Sequence, residues 1–194
     1  MHKIGKNAPM KRKNTLRLPE WRKLVGACGD KADTVEKNLF AALTAELDGL
    51  EKEWPKGLPH GTVHADLFPD NVFIKDKKIS GVIDFYFSCT EFFVYDLMLT
   101  LNAWCFDKTG KLDKAKSAAL LTAYHEGRVL EAAELERLSF FGRAAALRII
   151  STRLYDLLHP VAGATVTAKD PLEHVRILRV NQQAASPADY GLLL

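Results

Sequence analysis

The chain lacks the features that would send it into a membrane, an oxidising compartment or a nucleic-acid groove. Across 194 residues no apolar run approaches the ~18–20 residues of a membrane span. The start, Met1 to Arg17, is basic but carries no apolar core of the kind a signal peptide needs. Its lysines and missing amphipathic pattern also argue against a mitochondrial presequence. Cysteine is scarce: Cys28, Cys89 and Cys105 are odd in number, widely spaced and form no Cys-x-x-Cys. That excludes a disulfide framework and a zinc site, and fits reduced thiols in a cytoplasmic protein. The twelve glycines include no Gly-x-Gly-x-x-Gly, and no lysine lies in a Val-Ala-Ile-Lys-like strand.

What is present is an ordinary globular composition, 47% hydrophobic and 26% charged. The net charge of +3 is uneven. Residues 1–23 hold eight Lys or Arg and one acid, Glu20, so the remainder is net acidic. A basic head can bind nucleic acid. This one has a single aromatic, Trp21, and no recognition motif, so no nucleic-acid partner is expected. Residues 1–19, broken by Pro9 and Pro19, read as an irregular, solvated leader.

Beyond it the apolar spacing changes character twice. Val35, Leu39, Phe40, Leu43, Leu47, Leu50 and Trp54 recur every three or four residues, so they predict one buried helix face, with Thr34 as its N-cap. Pro55, Gly57 and Pro59 end that helix. Val72-Phe73-Ile74, a polar turn at 75–78 and a second run from Ile79 to Phe85 predict a β-hairpin. After Asp96 the chain reads as helical again, with Leu97, Met98, Leu101 and Trp104 on one face. Further helices are expected over 111–128 and 130–159, and Pro171 opens the last. The class is therefore α+β, mainly α-helical, built around one hairpin.

The chemistry concentrates between His60 and Phe87. There His64-x-Asp66 is followed by Asn71 five residues after Asp66, and by Asp84 thirteen residues after Asn71. A carboxylate at Asp66, on a loop before the hairpin, can accept the proton of an attacking hydroxyl and aim it at a γ-phosphate. Asn71 and Asp84 are hard oxygen donors at neighbouring ends of antiparallel strands, a pair that suits Mg²⁺. Asp84 lies among Val82, Ile83, Phe85, Tyr86 and Phe87, where an acid needs a partner. His64 reads as a structural hydrogen-bonding residue of the loop.

On these residues the chain resembles the aminoglycoside phosphotransferase and choline kinase superfamily, which shares the protein-kinase-like fold. Within it, HADLFPDNVF, SGVIDFYFSC and YDLMLTLNAWCF resemble bacterial homoserine kinases of the ThrB type, as do GRAAALR, TRLYD and AKDPLEHVRILR. The resemblance runs from about Trp21 to the C-terminus. It implies Asp66 as catalytic base, Asn71 and Asp84 as Mg²⁺ ligands and Asp96 as the acid that braces the catalytic loop. It also implies ATP as co-substrate, L-homoserine as acceptor and O-phospho-L-homoserine, on the way to threonine, as product. Residues 1–20 then correspond to the end of an interlobe linker and 21–194 to the C-terminal lobe, with the N-terminal β lobe absent.

Homoserine is a zwitterion, so a guanidinium fork for its carboxylate is expected. Arg143, Arg148 and Arg153, with Asp156 near Arg153, offer such forks, against the alternative of structural ion pairs. Tyr86, Asn102 and Trp104 are further substrate-site candidates, and Asp70 could face the substrate from its turn. A kinase for choline or an aminoglycoside, or a non-catalytic kinase remnant, is the competing reading. A lobe without its partner is expected to be weakly active or inactive, and to self-associate through uncovered apolar surface.

Overall fold

The computed structural model describes residues 1–9, 11–160 and 169–193. The helices are α1 (His2–Gly5), α2 (Leu18–Cys28), α3 (Leu39–Glu53), α4 (Phe93–Trp104), α5 (Lys114–Gly127), α6 (Ala132–Leu135), α7 (Leu138–Leu158) and α8 (Leu172–Gln183). Four short strands, β1 (His60–Val63), β2 (Val72–Lys75), β3 (Lys78–Val82) and β4 (Cys89–Phe92), lie between α3 and α4. The mainly helical α+β class is as expected.

α7 is the axis of the molecule. Its 21 residues bury both flanks, from Phe140 and Phe141 through Ala144–Ala146 to Ile150 and Leu154. A helix surrounded by others loses the one-sided polarity of a surface helix. The alanine run favours helix and lets neighbours approach closely. α2, α4 and α8 pack on it. Trp21, Leu47, Leu50, Tyr95, Met98, Phe141 and Leu178 meet in the same core. Each large side chain buried there contributes about 1.5–3 kcal/mol of transfer free energy.

The strands form two separate antiparallel pairs. β2 and β3 make the expected hairpin, with Val72 opposite Val82 and a register shift between Phe73 and Ile74. Its turn residues Asp76 and Lys77 both have positive φ, at 50° and 61°, as a tight two-residue hairpin turn requires. β1 and β4 pair as His60 with Phe92 through Val63 with Cys89. This pair is not legible in the spacing, because its four-residue strands alternate too briefly.

Several expected boundaries move. The helix expected from Thr34 starts at Leu39; Gly29–Thr34 is a 3-10 turn, and the Thr34 hydroxyl donates to the Lys31 carbonyl. Asn38 precedes α3 with φ 62°, and the Asp33 carboxylate accepts from the Phe40 amide. The second hairpin strand stops at Val82, not Phe85, and Phe85–Phe87 is a 3-10 turn. Helix α4 begins before Asp96, at Phe93.

The basic leader is corrected most. α1 lies against β1 so closely that a Cβ on Gly61 would sit 2.6 Å from the Gly5 carbonyl oxygen. Arg12 and Lys13 follow β4: the Thr90 amide donates to the Arg12 carbonyl at 2.7 Å, and Lys13 pairs in parallel with Thr90. Buried Glu91 takes Arg17 at 2.9 Å and the Asn14 amide at 3.0 Å. Internal partners therefore hold Arg12 and Arg17 of this segment.

Candidate active site

The catalytic loop is held by its backbone. Ala65 has φ 63°, a strained value for a residue with a Cβ. Asp96, at the start of α4, accepts from the Ala65 amide at 2.6 Å and from the His64 amide at 3.3 Å. The Asp96 carboxylate also takes Nε2–H of His2 at 2.8 Å, and His2 Nδ1 accepts from the Tyr124 hydroxyl at 2.6 Å. His2 stacks on Phe93. The chain's second residue is thus part of the brace behind the loop, a role no local spacing signals. His64 is fully buried; its Nε2–H donates to the Ile83 carbonyl at 3.0 Å and its Nδ1 accepts from the Asp66 amide at 3.2 Å. It ties the Asp66 backbone to the exit of β3.

Asp66, Asn71 and Asp84 open on one cleft of about 290 Å³, together with Phe68, Ile149, Thr152, Arg153 and Lys169. Buried Arg148 donates to Asp66 Oδ1 at 2.9 Å, while its guanidinium lies 5.0 Å from the centre of the Phe87 ring. A guanidinium so placed orients the carboxylate and supplies its counter-charge. Asn71 donates its Nδ2–H to the Asp66 carbonyl at 2.8 Å and lies 3.4 Å from Asp66 Oδ2. Its amide oxygen is left for another partner. Asp84 follows the residue bonded to Asn71, since the Ile83 amide donates to the Asn71 carbonyl at 3.0 Å. Asp84 has φ 61°, is exposed, and has no hydrogen-bond partner among the described residues. The expected aromatic enclosure is absent: Phe85 and Tyr86 are themselves exposed.

A divalent metal fits this donor set. Among the described residues no three His, Cys, Asp or Glu side chains cluster as a protein-only metal cage. One carboxylate and one amide oxygen facing an open cleft match the habit of Mg²⁺, which keeps water and phosphate oxygens for most of its shell. Neither Cys89 nor Cys105 lines the cleft, and burial pushes their thiols up to about 12 and about 11.

The expected substrate residues separate. Arg153 lines the cleft, but its partners are the Glu173 carboxylate at 2.7 Å and the Asp170 carbonyl. Asp156 is exposed and does not join it, because its position on α7 turns it to solvent. Arg143 bonds Glu46 at 2.6 Å, in a structural pair away from the cleft. Asn102 is buried, donating to the Gly142 carbonyl and accepting from Asn181. Tyr86 lies under Arg12 on a separate pocket, and Trp104 Nε1–H donates to the Leu67 carbonyl. Asp70 does line the cleft, exposed and 3.4 Å from Lys169 Nζ.

Residues 1–130 match a family described as phosphotransferase enzymes, APH. The chain belongs to the APH phosphotransferase family. The homoserine kinase of Brucella canis is 50% identical over 192 residues, which cover 99% of this chain and 59% of that protein. The chain therefore spans about 59% of the length of the curated relatives it matches. Among solved structures, the amicoumacin kinase hAmiN, in complex with AMP-PNP, Ca²⁺ and Ami, aligns with a TM-score of 0.66 at 18% identity. It covers 97% of this chain and 57% of its own. A Plasmodium vivax ethanolamine kinase aligns at 0.62 with 14% identity, covering 95% and 53%. Both show the kinase-like fold.

Proposed function

We propose that the protein takes part in ATP-dependent phosphorylation of L-homoserine to O-phospho-L-homoserine, a step toward threonine. The observation that carries the reading is the single cleft holding Asp66, Asn71 and Asp84, with Arg148 aiming the Asp66 carboxylate. The acceptor hydroxyl oxygen attacks the γ-phosphorus, the bond to the β,γ-bridging oxygen breaks, and ADP leaves. Asp66 takes the hydroxyl proton. Because the transition state is loose, its main contribution is to hold and orient that hydroxyl. Asn71 and Asp84 would hold Mg²⁺, whose chemistry is to neutralise charge on the transferring phosphates. Half-identity to the homoserine kinase of Brucella canis supports the acceptor. The three free, buried cysteines fit work in the cytoplasm.

These 194 residues include the groups proposed for acceptor and metal but no glycine-rich phosphate loop. Turnover by the chain alone is expected well below the roughly 1–100 s⁻¹ of kinases. The test is ³¹P NMR of long incubations with Mg-ATP and either L-homoserine, choline or ethanolamine. Slow formation of O-phosphohomoserine, lost in Asp66→Asn, is expected. Faster transfer to choline or ethanolamine than to homoserine would overturn the acceptor.

A further inference from the structure

A second cavity, of about 420 Å³, adjoins the cleft and shares Phe68, Arg153 and Lys169 with it. Its other walls include Asn102, Glu173 and His174. His174, on α8, is 2% exposed, and neither ring nitrogen has a hydrogen-bond partner among the described residues. Its ring centre lies 6.4 Å from that of Phe68, on the catalytic loop. A buried imidazole with both nitrogens unmatched is costly, and native interiors rarely tolerate it without a reason. An apolar side chain of similar volume would fill the place more stably.

The surroundings carry both signs of charge. Lys108, Arg153 and Lys169 are cationic, Asp170 and Glu173 are anionic, and Arg153 is paired with Glu173 at 2.7 Å. Burial first, and then the nearby Arg153, Arg148 and Lys169, hold His174 down at about 3. It is therefore neutral in the physiological range, with one nitrogen to donate and one to accept. A group with a carboxylate and an ammonium on one carbon matches this set: the cations for the carboxylate and Glu173 for the ammonium, in place of the 2.7 Å Arg153–Glu173 contact, with one ring nitrogen of His174, opened from its present burial, as a further partner.

We propose that this cavity is the subsite for the α-amino-carboxylate head of the acceptor, and that His174 is a specificity-determining residue within it. The inference rests on the reading of an amino-acid alcohol as acceptor. The shared walls then direct the head toward His174 and the hydroxyl toward Asp66. A site that hydrogen-bonds its ligand through buried polar groups rejects analogues lacking those groups, because its own groups stay unpaired.

The chain as it stands can be tested without ATP. Histidine-selective ¹⁵N labelling reports the ring nitrogens of His174, assigned by comparison with His174→Leu. The probes are L-homoserine, L-2-aminobutyrate (the same head without the hydroxyl) and 3-amino-1-propanol (amine and hydroxyl without the carboxylate). Both amino acids are expected to shift the His174 ring resonances. His174→Leu and His174→Gln are expected to weaken homoserine binding by about tenfold or more, and 3-amino-1-propanol to bind wild type about tenfold more weakly than homoserine. Mn²⁺ binding, read by water relaxation, should stay at the wild-type level in both variants.

Homoserine binding that leaves the ring resonances and both variants' affinities unchanged would overturn the subsite, as would the failure of any amino acid to bind. The two readings fail separately. Amino-acid binding at His174 with phosphoryl transfer only to another alcohol sinks homoserine as the phosphorylated substrate and leaves the subsite. Homoserine phosphorylation with unchanged KM in the His174 variants does the reverse.

Discussion

At the residue scale the contrast between Asp66 and His174 is instructive. Asp66, the proposed base, has a full set of neighbours: Arg148 on one oxygen and Asn71 near the other. Replacing it by Asn keeps the shape and removes the carboxylate proposed to accept the proton. Phosphoryl transfer to homoserine is expected to fall by about 10²–10⁴-fold, measured as kcat. Arg148→Met keeps much of the buried volume but releases the carboxylate. The charge-assisted hydrogen bond contributes about 1.5–3 kcal/mol, so urea unfolding should show a loss of that order, with kcat falling alongside. His174 sets an acid limit instead. Its folded value, about 3, lies below the ordinary histidine value of 6.5. Between these values the unfolded chain binds the extra proton, so this contribution to stability is complete above pH 6.5 and is lost as pH falls toward 3. Its slope is at most about 1.4 kcal/mol per pH unit. Urea midpoints measured from pH 7 to pH 4 should therefore fall less steeply in His174→Leu than in wild type.

At the scale of elements, the catalytic loop depends on contacts from both sides of the chain. β1 delivers His64 and Ala65, α4 delivers Asp96, and α1 delivers His2 behind it. The positive φ of Ala65 persists because Asp96 takes its amide. Docking of α1 relies on glycine at Gly61, since any Cβ there would strike the Gly5 carbonyl. Gly61→Ala is expected to push α1 away and remove His2 from Asp96. Amide hydrogen exchange should then quicken at Ala65 as well as in residues 3–5, at a stability cost of about 1–3 kcal/mol. Faster exchange in residues 3–5 with Ala65 unchanged would show that α1 does not brace the loop.

At the scale of the whole molecule, the helical body is well sealed around α7, whereas the hairpin is not. Phe73, Ile74 and Ile79 are 54%, 61% and 71% exposed. An apolar hairpin in that state is prone to association. Light scattering of this chain is expected to show mass rising with concentration, and Ile79→Lys should reduce that rise. A monodisperse monomer at high concentration would remove the hairpin from consideration as a contact surface.

Much of this protein was legible in one dimension, and the reason is locality. The hairpin, the long helices after it and the Asp66–Asn71–Asp84 spacing are short-range patterns, set by apolar periodicity and by the few residues between donor groups. The family followed from the same stretch. Partnerships across the chain were not legible, because no local rule couples residues 94 apart, as His2 and Asp96 are. The basic leader read as solvated because its charges show no partners along the chain; the fold supplies Glu91 and the edge of β4. The arginines of α7 looked alike in sequence, and packing gave each a different role: Arg143 to Glu46, Arg148 to Asp66 and Arg153 to Glu173. The sequence by itself determined which groups could do the chemistry. Only the tertiary structure decided which of them face the same cleft, because that depends on which faces of α7 and α8 the core covers.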